Sequence, residues 1–183
     1  TALLESLEGR RGQVRPRPPL PAERGLFGCP TLVNNVLTLA TAPWILANGA
    51  DAYAGFGAGR SRGTMPIQLA GNVRHGGVFE TGFGLSLAEI VHDIAGGTAS
   101  GRPLRAVQAG GPLGAFIPPA AFDTLYDYEA MAAREFLLGH GGLVLFDDRV
   151  NLGHLARFAM AFCRAESCGK CTPCRIGAVR GVE

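Results

Sequence analysis

Three cysteines carry the most distinctive chemistry in this chain. Cys168, Cys171 and Cys174 stand in the run ESCGKCTPCR (residues 166–175), with two residues between neighbouring thiols. The thiolate is the form that ligates metals and iron-sulfur clusters, and a C-x2-C-x2-C run lets one loop offer sulfurs to three corners of a single cluster. Gly169 frees the backbone between the first two thiols, and Pro173 restricts it before the third. Lys170 and Arg175 put positive charge beside the sulfurs, which favours thiolates and offsets the negative charge of a thiolate-ligated cluster. The pattern predicts a [4Fe-4S] site.

Three other readings stand beside it. A structural zinc takes four ligands, usually as two close pairs, and the extra donor nearest to hand is His154. A thioredoxin-type C-x-x-C follows a strand in a βαβ unit and needs no third cysteine. Inert core cysteines would be set among apolar residues, whereas these alternate with Gly, Lys, Pro and Arg. A two-cluster ferredoxin run places a further cysteine after three intervening residues, and Ala178 occupies that position, so a fourth ligand has to come from elsewhere.

The elements around the thiols follow from periodicity. Leu3, Leu4 and Leu7 mark one face of a short helix that Gly9 stops. Residues 9–30 mix five arginines with Pro16, Pro18, Pro19 and Pro21, which reads as a solvated extended connector, with an anion-binding arm as the other reading. Asn34 and Asn35 precede an apolar run from Val36 to Leu46 and suit the N-cap of a helix, which Pro43 kinks or divides. The glycine-rich residues 55–63 lack a preceding strand and a following helix, so they read as an interdomain linker and not as a phosphate loop.

Residues 65–70 and 77–80 are expected to form two strands joined by a turn, and Ser86 and Glu89 form a capping box for a helix that reaches Ile94, with Leu87, Ile90, Val91 and Ile94 inward. Strands are expected at 104–108, 115–118 and 142–146, and a helix at 128–138. Asp147 and Asp148 then suit the cap of a last helix over 151–164, with Leu152, Leu155, Phe158, Ala159, Met160 and Phe162 inward and His154, Arg157 and Arg164 outward. Cys163, among aromatic and aliphatic neighbours, reads as a small core residue and not as a ligand. His75, His92 and His140 read as ordinary surface or turn residues, and no constellation reads as catalytic.

ESCGKCTPCR, PTLVNNV (residues 30–36) and QAGGPLG (residues 108–114) together resemble the family of NADH-oxidising flavoprotein subunits, and the likeness runs in order through essentially the whole chain. That family includes the complex I flavoprotein subunit, the diaphorase subunit of NAD-reducing hydrogenases and the β subunit of NAD-dependent formate dehydrogenases. Lys170, Ile176 and Cys163 make the formate dehydrogenase branch the nearest in appearance. The resemblance implies that Val33, Asn34, Asn35 and Thr38 line an FMN site, although Leu37 stands where the family often has Glu. It implies that Cys168, Cys171 and Cys174 ligate a [4Fe-4S] cluster whose fourth ligand lies outside this chain. It also implies NAD(H) binding in the full subunit, with the glycine-rich nucleotide loop and acidic pair upstream of Thr1. The fold class it implies is α+β, in three parts: residues 1–63 as the tail of an α/β FMN/NADH-binding domain plus linker, 64–148 as a β-grasp domain of the soluble-ligand-binding type, and 149–183 as the start of a helical [4Fe-4S] domain. The implied partners are other iron-sulfur subunits of a multisubunit dehydrogenase in the cytoplasm. An internal fragment of this kind is expected to oxidise no NADH by itself. The competing function is a non-catalytic β-grasp module with a zinc-stabilised helical tail.

Composition narrows the classes further. With 183 residues, 47% of them hydrophobic, the chain can bury a core in one or two domains. A net charge of +2 spread along the chain makes no nucleic-acid stripe. Five cysteines, three in one motif, suit a reducing compartment and metal ligation more than a disulfide framework. No apolar run of about eighteen residues offers direct membrane insertion or a signal segment. The opening at Thr1 and the close at Glu183 both look like cut ends.

Overall fold

The computed structural model describes residues 2–13 and 15–183 and is an α+β structure. Its first stretch carries α1 (Ala2–Leu7), α2 (Val36–Asn48) and α3 (Ala50–Ala54). In α1 only Leu4 of the three leucines is buried; Leu3 and Leu7 are exposed, because the helix turns its Leu4–Glu5 side toward the arginine-rich arm. The arm is exposed along most of its length, as expected of a solvated connector, but it is tied down at several points. The Glu5 carboxylate accepts from the Gln13 amide and from Arg15 Nε, the latter at 2.7 Å, while Glu8 Oε1 accepts from the Phe27 amide at 2.6 Å. The Thr31 amide donates to the Pro21 carbonyl at 2.8 Å and closes the far end. The Gln13 amide and then Arg15 hold the Glu5 carboxyl below its ordinary range, so it stays ionised in this role.

Helix α2 runs through Pro43 as one helix, and Gly49, at φ +90°, ends it by donating to the Ile45 carbonyl at 2.8 Å. The glycine-rich residues after α3 carry regular structure. They form a small antiparallel ladder, β1 (Gly57–Ala58) with β2 (Ser61–Arg62), and Gly63 lies so close against the Tyr53 ring that a Cβ has no room there.

Alternation builds the sheet. Met65, Ile67 and Leu69 are buried on one face of β3 (Thr64–Gly71), since every second side chain of a strand points the same way. β3 pairs antiparallel with β4 (Gly77–Gly82) and parallel with β7 (Gly142–Asp147); β7 pairs antiparallel with β5 (Leu104–Ala109), which pairs with β6 (Ala115–Ile117). The order across the sheet is β4-β3-β7-β5-β6, so the last strand lies in the middle. A register shift between Leu104 and Ala106 bends β5 where the chain enters it.

The helical segment Glu89–Ile94 covers the buried sheet face, with Leu87, Ile90 and Val91 fully buried against Val107, Ile117, Leu143 and Leu145. Its capping box is present: the Ser86 amide donates to Glu89 Oε2 at 2.8 Å, and the Glu89 amide donates to Ser86 Oγ at 3.2 Å. The segment is wound as a π-helix instead of an α-helix, the Ala95 amide donating to the Ile90 carbonyl at 2.9 Å, and Ile94 is only half buried. Helix α4 (Tyr128–Ala133) is shorter than the expected 128–138. Glu135 adopts φ +59°, and the Phe136 and Glu135 amides donate back to Met131 and Ala132 in a Schellman closure.

Asp147 ends β7 and does not cap the next helix. Its carboxylate accepts from Asn72 Nδ2 at 2.7 Å, Ser100 Oγ at 3.0 Å and the Arg149 amide at 3.1 Å, which ties the loop before β5 to the sheet. The cap of α5 (Leu152–Glu166) is Asn151, whose Oδ1 accepts from the His154 amide at 3.1 Å. α5 packs antiparallel on α6 (Thr172–Val182): Arg157 Nε donates to the Val182 carbonyl at 3.1 Å, and Met160 lies against Gly181. Of the apolar α5 residues expected inward, Ala159 is buried and Leu152, Leu155 and Met160 are half buried, but Phe158 and Phe162 are exposed, because one partner helix covers only one side of α5. Arg157 is exposed, as expected, and its Nε bond to Val182 lies along the edge of that packing.

Candidate functional site

The three predicted ligands sit where α5 turns into α6. Cys168 lies in the connecting loop, Cys171 is the residue just before α6, and Cys174 stands in the first turn of α6. All three are exposed, while Cys163, on α5, is half buried. The loop turns because Gly169 adopts φ +73°, a conformation that L side chains seldom accept. α6 starts with Thr172 and Pro173, and proline suits the first turn because the N–H it lacks has no helical partner there.

Positive charge gathers at the loop. Cys171 and Cys174 stand at the N-terminal end of α6, where unpaired amides leave partial positive charge. Arg175 bends back over the loop, its Nη1 donating to the Gly169 carbonyl at 3.3 Å. Ser167 completes this set of contacts: its Oγ accepts from the Gly169 amide at 3.2 Å and lies 3.5 Å from Cys174 Sγ. Ser167 stands inside the motif, but its contact with Cys174 depends on the fold of the loop and has no signal in the spacing.

Among the described residues, no three His, Cys, Asp or Glu side chains are gathered to hold one metal ion. A single zinc needs all its ligands in one coordination sphere, with Zn–S of about 2.3 Å. A [4Fe-4S] cluster takes one thiolate at each iron, and the chemistry of three exposed soft donors following one another along a turning loop suits it.

The other predicted residues lie at the start of α2. Asn35 is the N-cap, its Oδ1 accepting from the Thr38 amide at 2.8 Å. Val33, Asn34, Asn35 and Thr38 are all exposed around that helix end. Val33, Asn34, Asn35 and Thr38 thus share the start of α2, and the three cysteines follow one another through the α5–α6 turn. Helix α2 buries none of its residues; Val36 and Leu46 keep 79% and 88% of their surface. One side of it borders a cleft of about 430 Å³ between Leu37, Trp44, Tyr53, Phe56, Thr64 and Glu80, with the Trp44 and Phe56 rings edge to face at 5.6 Å.

Residues 154–183 match the family described as the NADH-ubiquinone oxidoreductase-F iron-sulfur binding region, which contains the whole thiol loop. The chain is 44% identical, over 183 residues, to the HndC protein of the NADP-reducing hydrogenase of Solidesulfovibrio fructosivorans, covering all of this chain and 37% of that protein. It is 44% identical over 177 residues to the second NADH-quinone oxidoreductase-F protein of Rhizobium meliloti (strain 1021), covering 97% of this chain and 42% of that one. It is 40% identical over 177 residues to the NADH-quinone oxidoreductase-F protein of Escherichia coli (strain K12), with 97% and 40% covered. The crystal structure of an NAD+-reducing [NiFe]-hydrogenase in the H2-reduced state superposes with a TM-score of 0.86 at 34% identity, over 99% of this chain and 30% of that one. The chain spans about two fifths of the length of these curated relatives. Over its whole length it is homologous to part of the NADH-quinone oxidoreductase-F and hydrogenase HndC proteins, and its residues 154–183 match the iron-sulfur binding region.

Proposed function

We propose that the chain is the part of an NAD(H)-linked flavin and iron-sulfur subunit that reaches from one wall of the flavin site to the cluster loop. In the whole subunit, electrons pass between NAD(H), FMN and a [4Fe-4S] cluster and on to other iron-sulfur subunits of a multisubunit dehydrogenase. The cofactors supply hydride and one-electron chemistry when bound, and the protein supplies binding, orientation and electrostatics. Cys168, Cys171 and Cys174 hold three corners of the cluster, and the fourth ligand lies outside this chain. Lys170 and Arg175, with the α6 N-terminus, stabilise the added negative charge. Val33, Asn34, Asn35 and Thr38 form a flavin wall in which Asn amides donate to oxygen or nitrogen acceptors and Val33 supplies an apolar edge. Three domains are assigned: 1–63 to the flavin-binding part and linker, 64–148 to a β-grasp unit, and 149–183 to the start of the helical cluster domain. Support for the β-grasp assignment is the hairpin β3–β4 followed by the Glu89–Ile94 helix and a last strand parallel to the first in mid-sheet. Lys170 and Ile176 support NAD-dependent formate dehydrogenase as the parent complex, and five unpaired cysteines support the cytoplasm.

The observation that carries the reading is the exposed three-thiol loop at the head of α6, inside the matched iron-sulfur region. The test is iron, sulfide and zinc content with paramagnetic resonance on the complete subunit. We expect four irons at this site, lost in Cys168→Ser, Cys171→Ser or Cys174→Ser and retained in Cys163→Ser. A colourless protein with one zinc would sink the reading, and iron loss in Cys163→Ser would overturn the ligand assignment.

A further inference from the structure

We infer that the Ser167 hydroxyl donates a hydrogen bond to the Cys174 thiolate and thereby raises the reduction potential of the cluster, which makes Ser167 a positioning residue for electron transfer. The inference rests on the cluster reading above. Its geometric basis is a two-sided contact. The Gly169 amide donates to one lone pair of Ser167 Oγ at 3.2 Å and orients the hydroxyl, while Cys174 Sγ lies 3.5 Å away, an ordinary separation for a hydrogen bond to the larger sulfur atom. A hydroxyl has one hydrogen to give. A ligating thiolate has none, so the bond between Ser167 and Cys174 runs from oxygen to sulfur.

Three features hold the hydroxyl in place. Ser167 is the residue that ends α5, with extended backbone angles, and its side chain is half buried. Gly169 fixes the amide that orients the oxygen, and Arg175 Nη1 in turn holds the Gly169 carbonyl at 3.3 Å. Hydrogen bonds to ligand sulfurs are among the terms that set cluster potentials. A donor to sulfur stabilises the reduced, more negative state more than the oxidised state, so losing it lowers the potential. The same bond leaves Cys168 and Cys171 untouched, so the effect is placed at one corner.

The experiment compares Ser167→Thr with Ser167→Val in the complete subunit, because the two side chains share a shape and differ in whether they carry a hydroxyl. Iron and sulfide content are measured first. Dithionite titration followed by paramagnetic resonance gives the midpoint potential, and electron-nuclear double resonance after exchange into D2O reports an exchangeable proton beside the cluster. We expect both variants to hold full iron. Thr keeps the potential and the exchangeable proton; Val loses that proton and shifts the midpoint negative, with the reduced-to-oxidised ratio at a fixed potential falling about threefold, or ~30 mV for a one-electron couple. Equal potentials and equal proton signals in the two variants would overturn the inference while leaving the cluster reading intact. Absence of iron from the unaltered subunit would instead refute the reading on which it rests.

Discussion

Gly169 gives the sharpest test of how the loop presents its thiols. Its φ of +73° is a left-handed conformation, and a Cβ built there meets nothing nearer than Arg175 Cδ at 3.9 Å. Ala at this position therefore suffers no collision, and its penalty is conformational: about 1–2 kcal/mol for an L residue in left-handed space. Replacing glycine also removes freedom from the open chain, which returns about 0.4–1 kcal/mol. The difference is about 1 kcal/mol, roughly a fivefold loss in the population of the thiol-presenting loop. Asn accepts the left-handed region more readily than Ala, so it is expected to lie between the two. The assay is anaerobic reconstitution of the complete subunit with limiting iron and sulfide, read as cluster occupancy by paramagnetic resonance, in parallel for Gly169→Ala and Gly169→Asn. Occupancy is expected to rank glycine, asparagine, alanine, with thermal stability nearly unchanged because the thiols and their loop lie at the surface. Equal occupancy for Ala and Gly would refute the claim that the φ of this residue sets the loop. A poorer result for Asn than for Ala would show that side-chain bulk, and not backbone angle, is what the site rejects.

Other outcomes follow from the same structure. Leu145→Ala, at a fully buried position in the middle strand, is expected to cost about 2–5 kcal/mol in denaturant unfolding, whereas Leu113→Ala on an exposed turn costs within about 0.5. Burial alone would raise the Asp147 carboxyl, but bonds from the Arg149 amide and Ser100, together with the Arg149 charge, outweigh it and hold it low; Arg102 does the same for Asp148. A carboxylate depressed in the folded state adds stability above its unfolded value of about 3.9 and loses it as pH falls through the lower folded value, so Asp147→Asn should flatten the acid limb of a stability-versus-pH curve below about pH 4. An unchanged acid limb would remove Asp147 from that account. Asn34→Ala is expected to weaken flavin retention in the complete subunit without changing iron content; flavin occupancy equal to the unaltered protein would return Asn34 to a surface role.

Much of the sheet is legible in the chain because alternation and capping are local. Met65, Ile67 and Leu69 announce a strand face, and Ser86 with Glu89 announces a helix start, and each stands where it is expected. The π-helical winding is not legible, because Leu87, Ile90 and Val91 recur at spacings that an α-helix also buries, and the extra residue per turn appears only in which carbonyl Ala95 reaches. The early end of α4 is hidden for a similar reason. Left-handed closure usually advertises itself with glycine, and here Glu135 adopts it. In α5, apolar residues on several sides leave periodicity unable to choose a packing face. The choice falls to the side that meets α6, where Ala159 is small enough to be buried and Met160 reaches Gly181, while Phe158 and Phe162 stay outside.

The two groups of site residues differ in how much the chain alone can say about them. Cysteine spacing speaks for itself, since few roles other than ligation place three thiols among Gly, Lys and Pro. Asparagine does not, because an N-cap and a ligand wall ask for the same residue at the same place. The structure shows the first role for Asn35, whose Oδ1 holds the Thr38 amide at 2.8 Å. That bond does not compete with the second. An amide side chain has an acceptor end and a donor end, and capping uses the acceptor. Holding Oδ1 against the helix fixes the side-chain torsions and so fixes where the Nδ2 donors point, which is the preorganisation that an acceptor on an exposed cofactor edge needs. Asn34, one residue earlier, is exposed and is not the cap of α2, so its amide is the freer of the two. Asn35→Ala should then cost both helix stability, about 1 kcal/mol, and flavin binding, whereas Asn35→Asp keeps the cap acceptor while it loses the donors and adds a negative charge. If Asn35→Asp retained flavin as well as the unaltered protein while Asn35→Ala did not, the residue would act through the cap alone.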